Sequence, residues 1–133
     1  LFQPEMTPMI SKQVAALRET KTGGHAGETE TSKVQVSRPD LVHIDRAKNQ
    51  SGEDLARLKH IPNQYTGIFW YAQYPNHYAG DGSYAKPELG ELLITAQADQ
   101  LVGLVKLLKT DDTILKLQNR FYEASKDPLK TEQ

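Results

Sequence analysis

The sequence predicts a mixed α/β chain of four helices and two or three short strands. Three observations predict it. Apolar residues recur at helical spacing behind recognisable caps. An aromatic, β-favouring run, TGIFWYA, stands at residues 66–72. Glycine- and proline-rich stretches separate the periodic segments. So small a sheet does not cover so much helix in a stable layer, and part of the molecule is therefore expected to lie elsewhere.

The elements follow in order. "LF" leading into "QPEMTP" reads like the end of a strand entering a loop. Thr7-Pro8 starts a helix, with Thr as N-cap and Pro in the first turn. Ile10, Val14 and Leu17 share a face, and the helix is expected to end near Glu19, before Gly23-Gly24. GGHAGE is a loop. A short helix from about Glu28 ends near Ser37, because Pro39 forbids its continuation. DLVHID reads as a turn and a short strand. Residues 46–66 are irregular, broken by Gly52, Pro62 and Asn63, with a helical turn or two around Glu53 to Lys59. TGIFWYA is the second strand. YPNHYAGDGSYAKPELG leads into a long helix from about Ala85–Pro87 to Lys109, with Leu89, Leu93, Ala96, Leu104 and Leu107 on one stripe. A last helix turns Ile114, Leu117, Phe121 and Tyr122 inward, and residues 126–133 form a frayed tail.

The 133 residues are enough for one domain with a modest core. A hydrophobic content of 38% and a charged content of 25% are those of a globular chain. The net charge of −1 gives no basic tract for nucleic acid or an anionic membrane. There is no cysteine, which excludes disulfides, thiolate metal sites and cysteine nucleophiles. The compartment stays open, with the cytoplasm as default. No apolar run approaches the roughly 20 residues of a membrane span, and no signal peptide is visible. The first residue is not Met, so the chain is expected to begin inside a larger protein.

Chemistry concentrates in GGHAGETETS, residues 23–32. His25, Glu28 and Glu30 are residue types that serve as metal ligands and as general acids or bases. Glycines beside them let backbone approach a ligand closely. The same residues also read as a capped turn with first-turn acids, and spacing alone leaves both readings open. Two potential ligands cannot hold a catalytic metal, which wants three and an open position. His43, His60 and His77 show no ligand spacing. In WYAQYPNHYAGDG, Trp70, Tyr71, Asn76 and His77 read either as structural aromatics and turns or as a substrate-covering loop with hydrogen-bonding groups.

GGHAGETETS followed by RPDLV resembles a conserved block of the creatininase (creatinine amidohydrolase) family, and residues 65–93 resemble that family's loop and final long helix more loosely. The resemblance spans about Gly23 to Lys109. It implies a metal-dependent hydrolase of cyclic amides or other C–N bonds, using zinc, manganese or iron. It implies the C-terminal half of a three-layer α/β/α fold with a mainly parallel sheet, often assembled as a hexamer. The blocks that carry most of that family's metal ligands do not occur in this chain, so its partner would be the N-terminal half of the enzyme. By the same resemblance His25 handles a proton, Glu28 matches a less constant acid grouped with it as catalytic, and Glu30 belongs to the metal site. Trp70, Tyr71, Asn76 and His77 would bind the small-molecule substrate. KVQVS after Ser32 departs from the family's apolar helix face, so that helix is expected to be less buried or to face a subunit boundary. The competing function is a non-catalytic binding or assembly module that keeps only the fold.

Overall fold

A computed structural model describes residues 2–21, 23–62 and 65–130. Among these residues the chain is helical and contains no strand. Its α-helices are α1 (Pro8–Leu17), α2 (Glu28–Ser37), α3 (Phe69–Gln73), α4 (Pro87–Thr110) and α5 (Thr113–Ala124). Short 3₁₀ turns cover Pro39–Leu41, Ile44–Asn49 and Pro128–Lys130.

The helix boundaries follow their local chemistry. Thr7 caps α1 through its hydroxyl, which accepts from the Ile10 N–H at 3.3 Å, and Pro8 opens the first turn. Glu28 and Glu30 lie in the first turn of α2, where the helix dipole favours negative charge. Pro39 stops that helix and begins a 3₁₀ turn.

The expected α/β architecture with a mainly parallel sheet is corrected by this structure. Residues 69–73 of TGIFWYA are α3, and DLVHID folds into two 3₁₀ turns. β-Propensity measures how a residue fits a paired, half-buried surface rather than a backbone preference. Neither run has a strand beside it, and an isolated strand leaves its N–H and C=O groups unpaired. Helical turns close those bonds locally: Ala72 N–H reaches Ile68 C=O at 2.9 Å, and Arg46 N–H reaches His43 C=O at 2.9 Å. In QPEM, residues 3–6 have no regular structure. Leu1 and the last three residues of the expected tail lie outside the described residues.

Two compact units divide the chain, one at Glu5–Gln97 and the other taking in residues 98–130. In the first, Val14, Leu89 and Leu93 form a small core, with Ile10, Leu17 and Leu92 packed against it. α2 meets the start of α4 closely. A Cβ on Gly90 would stand 2.1 Å from the Ser32 carbonyl oxygen, so only glycine permits this approach. Ser32, fully buried, ties the two helices: its Oγ donates to Glu28 C=O at 2.7 Å and accepts from Lys86 N–H at 3.0 Å. Ser32 thereby satisfies a backbone donor at the entry to α4.

In the second unit, Ile114, Leu117, Phe121 and Tyr122 are 62%, 59%, 68% and 55% exposed, so the expected inward face of α5 is open. Leu107 is also exposed, whereas Leu89 and Leu93 of the same expected stripe are buried. Among the described residues, no helix is long and apolar enough to cross a membrane.

Candidate functional site

The loop between α1 and α2 is built from backbone interlocks. Gly24 packs so tightly on Ala79 that a Cβ there would lie 1.9 Å from the Ala79 carbonyl oxygen. His25 C=O accepts from Ala79 N–H at 3.0 Å. A Cβ on Gly82 would come within 2.7 Å of the Ala26 oxygen. GGHAGE and AGDG are therefore two faces of one joint, although more than fifty positions separate them in the chain.

At the centre of the joint, Ala26 adopts a left-handed backbone with φ of 57°. For a residue other than glycine this conformation costs on the order of 1 kcal/mol. Two side chains of α2 hold it. The Ala26 N–H donates to Glu30 Oε2 at 2.9 Å, and Thr31 Oγ1 donates to Ala26 C=O at 2.9 Å. The same Glu30 oxygen lies 3.6 Å from His25 Nδ1. Glu30 therefore fixes the backbone beside His25 and faces its ring. Both side chains are more than half exposed, so proton exchange with solvent is unobstructed. On its other side the His25 ring stands edge-on to Trp70, with centroids 6.0 Å apart.

Glu28 occupies a different environment. It is 2% exposed. Its carboxylate accepts from Glu19 N–H at 2.9 and 3.1 Å and from Thr20 N–H at 2.7 Å. Burial pushes its pKa up, but these N–H groups, the Thr20 hydroxyl and the positive charge of Lys86 outweigh that and hold it below its ordinary value. The carboxylate ties the end of α1 to the start of α2.

His25 and Glu30 line a cavity of about 480 Å³, within the usual range for small-molecule sites. Its walls come from Thr31 and Val34 of α2, from Leu41 to Ile44, from Arg46, Ala47 and Gln50, and from Tyr78 and Gly82. Glu28, Trp70, Tyr71, Asn76 and His77 are not among its lining residues. Trp70 stacks at a tilt on Tyr74, 4.9 Å away. Tyr71 lies under the Arg57 guanidinium, 5.9 Å from it. Asn76 bonds Gln50 Oε1 and Ser51 C=O, both at 3.2 Å. His77 is exposed in a turn, with φ of 60°. Of the expected site residues, the structure thus gathers His25 and Glu30 at the cavity and Trp70 behind His25.

Sequence reasoning missed the cavity wall at residues 41–47, including His43 and Arg46. The signal was present in the apolar spacing of Leu41, Val42, Ile44 and Ala47 beside two basic side chains. It also missed Thr31 as the clamp on Ala26. Asp81, in the neighbouring turn, accepts from Ser83 N–H at 2.8 Å. The Ser83 hydroxyl and N–H lower its pKa most; burial opposes them, and Tyr78 and Lys48 add smaller lowering effects.

Among the described residues, no three His, Asp or Glu side chains are grouped so as to hold a metal ion. His25 and Glu30 are two donors, and the Glu28 carboxylate is taken by backbone. This donor set alone does not fit a catalytic divalent ion, which needs three protein ligands and an open position.

Residues 2–105 match the family model Creatininase, described as creatinine amidohydrolase. The match covers most of the chain, from α1 to α3 and most of α4, and the chain belongs to the creatininase family. Membership makes it a chain of the amidohydrolase type, in a family that is generally metal-dependent. No curated protein and no solved structure matches it.

Proposed function

We propose that this chain forms part of a hydrolase that opens the C–N bond of a cyclic amide, or a related ring bond, in a small substrate held in the His25–Glu30 cavity. Water adds its oxygen to the carbonyl carbon, the C–N bond breaks, and the water's protons pass to solvent and to the departing nitrogen. His25 carries the proton to that nitrogen. Imidazole is the side chain best suited to giving and taking a proton at neutral pH. Glu30 faces the ring across 3.6 Å and orients it. The observation that carries this reading is the 3.6 Å approach of His25 Nδ1 to Glu30 Oε2 at the cavity wall, built on a left-handed Ala26. Backbone strain maintained by specific side chains is a recurrent mark of functional sites.

A divalent ion, zinc, manganese or iron, would supply activated water and a polarised carbonyl. In this reading most of its ligands lie outside this chain, on the N-terminal half of the enzyme, and Glu30 is the carboxylate this chain brings to it. Glu28 supports the site by fixing the start of α2. Trp70, Tyr71, Asn76 and His77 act around the joint, with Trp70 buttressing the His25 ring. The exposed apolar residues of α5 support assembly with further polypeptide, either the N-terminal half or other copies in a hexamer. They also favour the second reading, a non-catalytic assembly module.

Turnover of a panel of cyclic amides by the metal-loaded, assembled enzyme separates the two readings. His25→Ala lowers kcat by about 10²- to 10⁴-fold if the residue transfers the proton. A panel turned over by neither the native protein nor the variant supports the assembly module.

A further inference from the structure

The cavity beside His25 carries one cation that the hydrolytic reading does not use. Four arginines lie in the first unit, and three are engaged. Arg38 grips Asp40 through two contacts of 2.8 and 2.6 Å. Arg18 Nε donates to Thr20 Oγ1 at 3.2 Å. Arg57 sits over the Tyr71 ring. Arg46 lines the cavity and pairs with no carboxylate among the described residues. The one acid in the lining, Glu30, is committed to the Ala26 N–H and faces His25.

The wall that includes Arg46 is mostly aliphatic, with Leu41, Val42, Ile44 and Ala47 from the same segment and Val34 from α2, and with His43 and Gln50 as polar members. Arg46, a residue of this wall, carries a guanidinium, a forked and permanently charged donor set suited to a carboxylate. The walls offer an apolar surface to the body of the ligand.

We infer that the substrate of this cavity is a carboxylate-bearing amide: an aliphatic or saturated-ring body whose carboxylate is held by Arg46 while its C–N bond faces His25. This rests on the hydrolytic reading for the second group only; the anion site at Arg46 stands on its own.

The test uses the full chain, labelled with nitrogen-15, and two isosteric probes, isovalerate and isovaleramide. They share an aliphatic body and differ in charge. Isovalerate is expected to shift the amide resonances of residues 42–47 saturably, with isovaleramide binding at least about 5-fold more weakly. Arg46→Gln should weaken isovalerate by about 10-fold or more, the usual weight of a hydrogen bond to a charged group, and leave the amide probe unchanged. Arg46→Lys keeps the charge without the fork and should fall between. Arg46 is exposed, so these variants keep the core, and the dispersion of their spectra checks it. Equal binding of the two probes to the native chain, shifts confined to other segments, or indifference to Arg46→Gln overturns the proposal. Isovalerate binding without turnover of any cyclic amide sinks the hydrolytic reading and leaves the anion site standing. Amide turnover with no preference for a carboxylate sinks the anion site alone.

Discussion

At the scale of residues, the two acids of GETE do different work, although sequence presents them as one cluster. Glu30 points to the cavity, while Glu28 closes over backbone N–H groups. Replacing Glu28 with Gln keeps the shape and removes the charge. We expect a loss of about 1.5–3 kcal/mol, typical for hydrogen bonds to a buried charged group, read as a lower midpoint in urea at pH 7. The pH dependence has a definite sign. The folded pKa of Glu28 lies below its ordinary value of 4.5, so the stabilisation is complete above that value. It is lost as pH falls through the lower, folded pKa. The gap between melts of the native chain and Glu28→Gln should therefore narrow as pH is lowered stepwise from 7 into the acid range. A gap that stays constant with pH would show that the carboxylate's charge is not what matters. His25 and Glu30 were legible because the residue types and flanking glycines announce a site. The division of labour was not, because it depends on Glu19 and Thr20, which come from α1.

At the scale of elements, α4 offers a controlled pair of substitutions. Gly90 faces Ser32 with no room for a methyl group, and Gly103 has nothing within 4 Å of where a Cβ would be. Gly90→Ala should destabilise by roughly 1–3 kcal/mol through overpacking. Gly103→Ala should stabilise by about 0.5–1 kcal/mol, because alanine loses less backbone freedom in a helix. Thermal denaturation of the two variants beside the native chain measures both, and equal shifts of one sign would contradict the packing of α2 on α4. Helix limits were readable: Thr7-Pro8 and Pro39 act within a turn of their own position, and α1 begins and α2 ends where those signals place them. The two expected strands were not, because a strand depends on a neighbour that local sequence does not name. The cavity was hidden for the same reason, since its walls come from residues 25–34, 41–50 and 78–82.

At the scale of the whole molecule, stability is unevenly distributed. The buried core, Val14, Leu89 and Leu93 with Ala72 and Ala79, lies entirely in Glu5–Gln97. Every described residue of α5 is exposed. Amide hydrogens of α2 should therefore exchange more slowly than those of α5, by roughly 10-fold or more, because exchange tracks local opening. Comparable protection in both would mean that α5 is covered in solution, as self-association predicts. The chain on its own should also retain less than one equivalent of zinc or manganese after dialysis, having too few grouped donors. The central claim is that His25 is the proton carrier of a creatininase-family hydrolase. The most direct measurement is kcat for a cyclic amide together with metal content, in the assembled enzyme, for the native protein and His25→Ala. We predict a kcat lower by about 10²- to 10⁴-fold with metal content unchanged. Undiminished turnover by His25→Ala, or a fall in activity that merely follows lost metal, contradicts it.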